Sequence, residues 1–385
     1  MNVFVAADNI ISPLGFSSKV NFDNLKQMKT GVHFFETSTF SNEPVHAAII
    51  NNSTIEDEFQ KINTSETYTK LEKLAILSIQ NALDQNKAID IKSNKTLIIF
   101  SSTKGNIDLL DSTSKHKFDK KRLLLWETAN VIGSYFGNPN TPIVISNACI
   151  SGVLALILGK RLLEENEYEN IVVVGVDLIS HFVVSGFQSF KAISNEIAKP
   201  YDADRTGISL GEAAGTIVLT NNKAFLNSTQ EPILVKGGAS SNDANHISGP
   251  SRTGDGLLIA IEKSLKESGL TADQINFISG HGTATLFNDE MEALAITDAH
   301  LENVPMNSLK SYFGHTLGAA GIIESVITLE SMRNNTLIGT YNFSNSGTTK
   351  PVNIINKTLE KNINNSLKTA AGFGGCNAAI VFSKQ

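Results

Sequence analysis

Apolar and polar positions along this chain fall into two repeating periods. Short apolar runs at residues 3–6, 96–101 (TLIIFS), 142–146 (PIVIS), 171–176 (IVVVGV) and 215–220 read as strands. The unbroken apolar character of 171–176 is what a strand covered on both faces requires. Between these runs, residues 67–83 place Leu71, Leu74, Ala75, Ile79 and Leu83 at helical spacing, and residues 151–165 continue PIVIS as a helix. Residues 221–232 turn polar, and then the theme repeats. Strands are predicted at 233–236, 275–279 and 378–382, and helices at 256–268, 289–299 and 318–332. The Asn-, Ser- and Thr-rich stretch 338–367 is expected to run over the surface before the last strand. Two α/β halves of similar length, 1–225 and 226–385, imply a duplication that residue identities alone do not prove.

Composition narrows the class. A chain of 385 residues buries roughly three quarters of its unfolded surface, so its core needs no metal or disulfide. The net charge of −6 argues against a nucleic-acid partner with a broad basic face. The longest apolar runs fall far short of the ~20 residues of a membrane helix, and the N-terminal residues show no secretion leader. A soluble, cytoplasmic protein is expected, with no membrane and no nucleic-acid partner. There are two cysteines, Cys149 and Cys376, too few for a disulfide framework.

Cys149 stands between a predicted strand and a predicted helix, in PIVISNACISG. Unpaired N–H groups at a helix start favour an anion, so a thiol there is expected to shift toward thiolate, the nucleophilic form. The alternative is a cysteine that only packs. His281, in ISGHGTATLFND, and His315, in SYFGHTLGAAG, are each framed by glycine at the end of an element. With Cys149 they could make a nucleophilic site or a Cys-His-His metal site. Metal ligands usually include one short pair spacing, which is missing here, so no metal is expected. His33, His46, His116, His181, His246 and His300 lack this framing and are taken as surface or packing residues. GFGGC (372–376) precedes a strand, the wrong order for a phosphate loop; it could aim backbone N–H groups at a reacting oxygen, as could 207–215, or serve as a turn only.

Taken in order, these stretches resemble the β-ketoacyl-acyl carrier protein synthases, the decarboxylating condensing enzymes of the thiolase fold. The resemblance rests on SPLG (12–15), NACISG (147–152), FKAIS (190–194), PYDADRTGISLGEAAG (200–215), HGTATLFND (281–289), KSYFGHTLGAAGIIE (310–324) and GFGGCNAAIVF (372–382). It implies a thiolase-like α/β fold of duplicated halves in α-β-α-β-α layers. The first half would carry the nucleophile and the second the histidines. Cys149 matches the acyl-accepting nucleophile, and His281 and His315 match the pair that binds the malonyl thioester carbonyl. Lys310 matches the lysine of the second histidine motif, and Glu324 and Asp289 match acidic positions of one network with it. Phe373 matches a gating aromatic whose N–H would form an oxyanion hole with that of Cys149.

The activity implied is condensation of an acyl thioester, held on Cys149, with malonyl-acyl carrier protein in fatty acid or polyketide and polyene biosynthesis. The alternative is a pocket-shaping, non-condensing partner subunit of a ketosynthase heterodimer. No bound cofactor is implied, since phosphopantetheine arrives on the acyl carrier protein. A homodimer is expected, or a heterodimer with a related subunit. Lys70, Lys121, Arg122 and Lys191 are candidates for docking the carrier. The chain departs from the family pattern at a short 194–200 segment, at Thr206 for an acid, at Ala371 for an aromatic and at Cys376 for Thr. Cys376 is expected to pack rather than react.

Overall fold

A computed structural model describes residues 1–65, 67–111, 118–226, 231–246 and 248–385. The first half contributes strands β1 (Phe4–Ile11), β2 (Thr96–Ser101), β3 (Ile143–Ile145), β4 (Asn170–Asp177) and β5 (Ala213–Thr220). The second contributes β6 (Ile233–Asn242), β7 (Phe277–Ser279), β8 (Met306–Asn307), β9 (Asn365–Gly372) and β10 (Cys376–Lys384). They form one ten-stranded sheet in the order β3-β2-β4-β5-β1-β6-β10-β9-β7-β8.

Outward from the β1/β6 contact, both halves run through their first, fifth, fourth, second and third strands. Pair directions repeat as well. β1/β5 and β5/β4 are antiparallel and β4/β2 and β2/β3 parallel. β6/β10 and β10/β9 are antiparallel and β9/β7 and β7/β8 parallel. The duplication that residue identities left open is therefore present in the topology. The halves join through β1 and β6, where Phe4 faces Leu234.

Seven helices position the site: α1 (Lys70–Asp84), α2 (Leu125–Phe136), α3 (Ser151–Glu164), α4 (His181–Ser189), α5 (Asp255–Ser268), α6 (Leu286–Asp298) and α7 (Ala320–Asn334). Strand periodicity creates the layers. On β4, Val173 points into a central core with Val153 and Leu156 of α3 and Ile322 and Val326 of α7. Its neighbours Val172 and Val174 point the other way, to Leu74 and Ile79 of α1. Leu257 and Ile261 of α5 cover the matching outer face of the second half, against Leu367 and Val381. Helices thus lie outside both halves of the sheet and between them, the layered α/β, thiolase-like arrangement expected.

The central helices α3 and α7 meet near their starts. Gly152 permits their close approach: a Cβ there would lie 2.8 Å from the backbone N of Ile322 and 3.1 Å from the Gly318 carbonyl oxygen. Unlike the amphipathic surface helices, α7 is buried along nearly its whole length, which its all-round apolar and small-residue character allows.

Two expectations change. Strand β9 begins inside the stretch 338–367 that was expected to run over the surface. Its Ser366, Lys368 and Thr369 are buried and polar, so the strand presents no apolar run to read. α6 also starts at Leu286, three residues before the predicted helix.

Candidate active site

Asn147 to Ser151 turns sharply between β3 and α3. Ala148 takes a left-handed conformation, φ 44°, which L-residues with a Cβ adopt at a cost. Ser151 holds the turn: its Oγ accepts from the Asn147 N–H at 2.7 Å and donates to the Ala148 carbonyl at 2.6 Å. Cys149, at the crest, is buried. His315 precedes α7, the pseudo-equivalent of α3, so the two central helices deliver a thiol and an imidazole to one point. The His315 Nε2 lies 3.1 Å from the Cys149 Sγ. The His281 ring meets that of His315 edge-on, with centroids 5.4 Å apart at 80°. Ligand atoms of Cys149, His281 and His315 all fall within 4.8 Å of one another.

Hydrogen bonds assign both ring tautomers. The Leu317 N–H donates to His315 Nδ1 at 3.2 Å, and the Lys310 ammonium faces His281 Nδ1 at 3.5 Å. An Nδ1 that accepts carries no proton, so each neutral ring is protonated at Nε2. Burial, and then the Lys310 cation, hold both imidazoles well below their usual range, so both are neutral near pH 7. The site thus presents two N–H donors beside the sulfur. A metal would require those protons to move, and the Lys310 cation already stands beside the His281 ring. The donor set suits an oxygen acceptor.

The thiol does not follow the helix-start expectation. Burial pushes Cys149 up to about 12, and the nearby Lys310 only partly opposes this. Desolvation in the buried site disfavours the anion. Cys149 therefore rests as a thiol. Cys376 is buried too, is pushed by burial up to about 11, and donates from Sγ to the Phe373 carbonyl at 3.3 Å. It packs behind the GFGG turn, as its context implied.

The supporting residues gather around two carboxylates, Glu324 and Asp289, which a chain of hydrogen bonds links through Tyr201, Glu292, Thr369 and Lys368. Lys310 pairs with Glu324, which also pairs with Lys368 at 2.7 Å. Asp289 instead accepts from the N–H groups of Tyr201 (2.7 Å), Thr283 (2.8 Å) and Ala284 (3.1 Å). It pins the loop that follows His281, and burial pushes it up to about 6. Sequence reasoning missed its helical neighbour Glu292, which accepts from the His281 and Gly282 N–H groups at 2.8 Å each. It also missed Asp177, at the end of β4. That carboxylate accepts from the N–H of Gly318 (2.7 Å), from the hydroxyls of Ser102 and Thr103, and from the N–H of Thr103 and Lys104. It ties the turn after β2 to the turn after His315. The i,i+3 spacing of Asp289 and Glu292 was the available signal for Glu292; Asp177 had none beyond its position after an apolar strand.

A cavity of about 350 Å³ opens onto Cys149, His281 and His315. Phe373 stands at its mouth with its ring 5.7 Å from that of Phe187 and 5.4 Å from that of Phe190. Gly372 brings this turn against Cys149, since a Cβ there would lie 3.0 Å from the Cys149 backbone N. Of the four basic candidates, Lys70 is paired to Glu212 and Arg122 to the buried Glu72, so neither is free to dock a partner. Lys191 lines the cavity mouth, and Lys121 is exposed. Among the remaining histidines His33, His181, His246 and His300 are exposed and His46 is half-buried; His116 lies outside the described residues. No helix among the described residues is long and apolar enough to cross a membrane.

Comparison with known proteins agrees with this geometry. Residues 2–224 match the β-ketoacyl synthase N-terminal domain, and residues 233–344 the C-terminal domain. A 3-oxoacyl-[acyl-carrier-protein] synthase 2 of Vibrio cholerae is 25% identical over 100% of this chain and 99% of its own. Among solved structures, a β-ketoacyl synthase from Burkholderia phymatum superposes with a TM-score of 0.89 at 21% identity, covering 100% of this chain and 99% of that one. A ketosynthase solved in complex with its chain length factor, from Xenorhabdus doucetiae, gives 0.87 at 22% identity, covering 100% and 98%. With the family's two domains matched in order and its fold reproduced from end to end, this chain belongs to the β-ketoacyl synthase family.

Proposed function

We propose that this enzyme, a β-ketoacyl-acyl carrier protein synthase, condenses an acyl group held on Cys149 with malonyl-acyl carrier protein, and that His281 and His315 act as N–H donors throughout. The observation that carries this reading is the pair of Nε2-protonated, neutral imidazoles beside a buried thiol.

In the first step the Cys149 sulfur attacks the thioester carbonyl of an acyl-phosphopantetheine. The sulfur–carbon bond forms, the old thioester bond breaks, and the thiol proton ends on the departing pantetheine sulfur. The His315 Nε2–H, 3.1 Å from Sγ, supports negative charge on sulfur as that proton leaves. In the second step the malonyl thioester oxygen takes hydrogen bonds from both Nε2–H groups. CO₂ leaves, and the electron pair of the broken bond becomes an enolate whose oxygen those donors hold. The enolate carbon then attacks the acyl carbon on Cys149. The tetrahedral oxyanion is assigned to the N–H groups of Cys149 and Phe373, and the close approach of Gly372 to the Cys149 N supports this. Collapse releases the β-ketoacyl product and a cysteine thiolate, which takes a proton from solvent. Holding both acyl groups in one cavity makes the carbon–carbon step effectively unimolecular.

An acyl carrier protein is the partner this reading requires, with its phosphopantetheine arm in the cavity and Lys191 at the mouth as its basic contact. A dimer fits as well. Among the described residues, β3 pairs only with β2 and ends the sheet, an edge that a second subunit would cover. The pathway, fatty acid or polyketide, follows from the acyl chain accepted.

The test is intact-mass analysis after incubation with carrier proteins bearing acyl chains of different lengths. An acyl adduct on Cys149 is expected, and the lengths accepted identify the substrate. A protein that takes no acyl group from any carrier would instead be the non-condensing partner subunit.

A further inference from the structure

Lys368 is a lysine with no exposed surface, on strand β9 and in register with Ser279 of β7. None of the family motifs in this chain includes it. Its ammonium is within reach of four oxygens: the carbonyls of Ser279 (3.2 Å), Gly280 (3.2 Å) and Thr369 (2.5 Å), and Glu324 Oε2 (2.7 Å). Ser279 and Gly280 are the two residues that lead into His281. Glu324 is the carboxylate that also holds Lys310, whose Nζ faces His281 Nδ1. One ammonium therefore touches both determinants of the His281 ring, the backbone that carries it and the ion pair that orients it.

The charge count gives this contact a second consequence. Lys310 and Glu324 alone would sum to zero. Lys368 adds a second ammonium to the same carboxylate, with Glu292 as the next negative charge, and the shared Glu324 leaves Lys310 an N–H to offer the imidazole. A buried, imperfectly neutralised ammonium is costly, and such groups persist where they shape a reactive site.

We propose that Lys368 is a positioning residue for His281, pinning the peptide that leads into the ring and keeping Lys310 turned toward its Nδ1, so that the ring presents Nε2–H to the malonyl carbonyl. This rests on the reading that His281 serves the malonyl half-reaction. The charged and titratable groups around Lys368 are Glu324 from α7, Lys310, Glu292 from α6, and the two histidines. Removing its cation makes His281 easier to protonate, and a ring protonated at Nδ1 can no longer accept from Lys310, the contact that orients it.

The experiment follows malonyl-carrier decarboxylation across pH with Lys368→Met, Lys368→Gln and Lys368→Arg. Met and Gln should lower kcat by on the order of tenfold and move the acid limb of the profile up by roughly one pH unit, as expected for a unit charge lost at several ångströms in a medium of effective dielectric about 20. Arg, which keeps the charge, should return the limb toward its original position. A lowered rate with an unmoved acid limb would reduce Lys368 to a packing role and overturn the proposal, as would wild-type rates in Met. Should the Met and Gln variants not fold, ¹⁵N spectra of histidine-labelled wild-type enzyme decide. Neutral His281 protonated at Nε2 is expected at pH 7, and protonation at Nδ1 overturns the proposal. A His281→Ala variant separates the two levels: if it still decarboxylates malonyl-carrier, the functional reading fails, and if only the Lys368 variants behave as wild type, this inference fails alone.

Discussion

Replacing Gly152 with Ala adds one methyl group at the crossing of the two central helices. That methyl would lie 2.8 Å from the Ile322 N, 3.1 Å from the Gly318 carbonyl oxygen and 3.1 Å from the Gly321 Cα. All three are backbone atoms, so no side-chain rotation relieves the contact. Carbon contacts relax near 3.5–4.0 Å, so α3 and α7 must separate by roughly 0.5–1 Å. Overpacking of this kind costs about 1–3 kcal/mol. The separation also acts on the site, because Cys149 leads into α3 and His315 into α7, with their reactive atoms 3.1 Å apart. A displacement near 1 Å in such a pair can cost about a hundredfold in rate. Thermal unfolding and single-turnover acyl transfer to Cys149 measure the two effects together. We expect a melting temperature lower by a few degrees and transfer slowed by at least tenfold. Gly186→Ala, where nothing lies within 4 Å of the added Cβ, is the control and should be neutral or slightly stabilising. A Gly152→Ala enzyme with wild-type stability and wild-type transfer would refute the claim that helix approach sets the thiol–imidazole distance.

Asp177→Asn replaces an acceptor surrounded only by donors, leaving at least one buried N–H or hydroxyl unpaired; a loss of about 1–3 kcal/mol in urea unfolding, with reduced condensation, is expected. Because burial holds the Cys149 thiol up to about 12, its alkylation by iodoacetamide should rise roughly tenfold per pH unit from 7 to 10, and a plateau near neutral pH would contradict the resting thiol. Phe373→Ala removes the ring packed on Phe187 and Phe190 at the cavity mouth, so acyl-Cys149 should hydrolyse severalfold faster by time-resolved intact mass.

The residues that chemistry needs at element ends were the legible ones. Cys149, His281 and His315 stand where strands or turns give way to helices, the two histidines with glycines beside them, and the structure brings all three together. What stayed hidden depends on burial and on distant partners. Lys368 makes sense only beside its partner Glu324, and a strand carrying Ser366, Lys368 and Thr369 inward shows no apolar alternation. The duplication appears in strand order and pairing direction, which residue identities do not carry. The thiol's protonation reversed for a related reason. A helix start can be read from a sequence, whereas the desolvation that pushes the thiol up requires knowing what surrounds the sulfur. The part Asp289 plays, binding the loop after His281, likewise shows only in the fold.

The most direct measurement of the central claim is condensation itself, scored by mass spectrometry of carrier-bound products when wild-type and Cys149→Ala enzymes are given acyl-carrier and malonyl-carrier proteins. Wild type should pass through acyl-Cys149 and yield a β-ketoacyl chain two carbons longer, while Cys149→Ala should yield none even if it still releases CO₂ from malonyl-carrier. A β-ketoacyl product from Cys149→Ala would contradict the account.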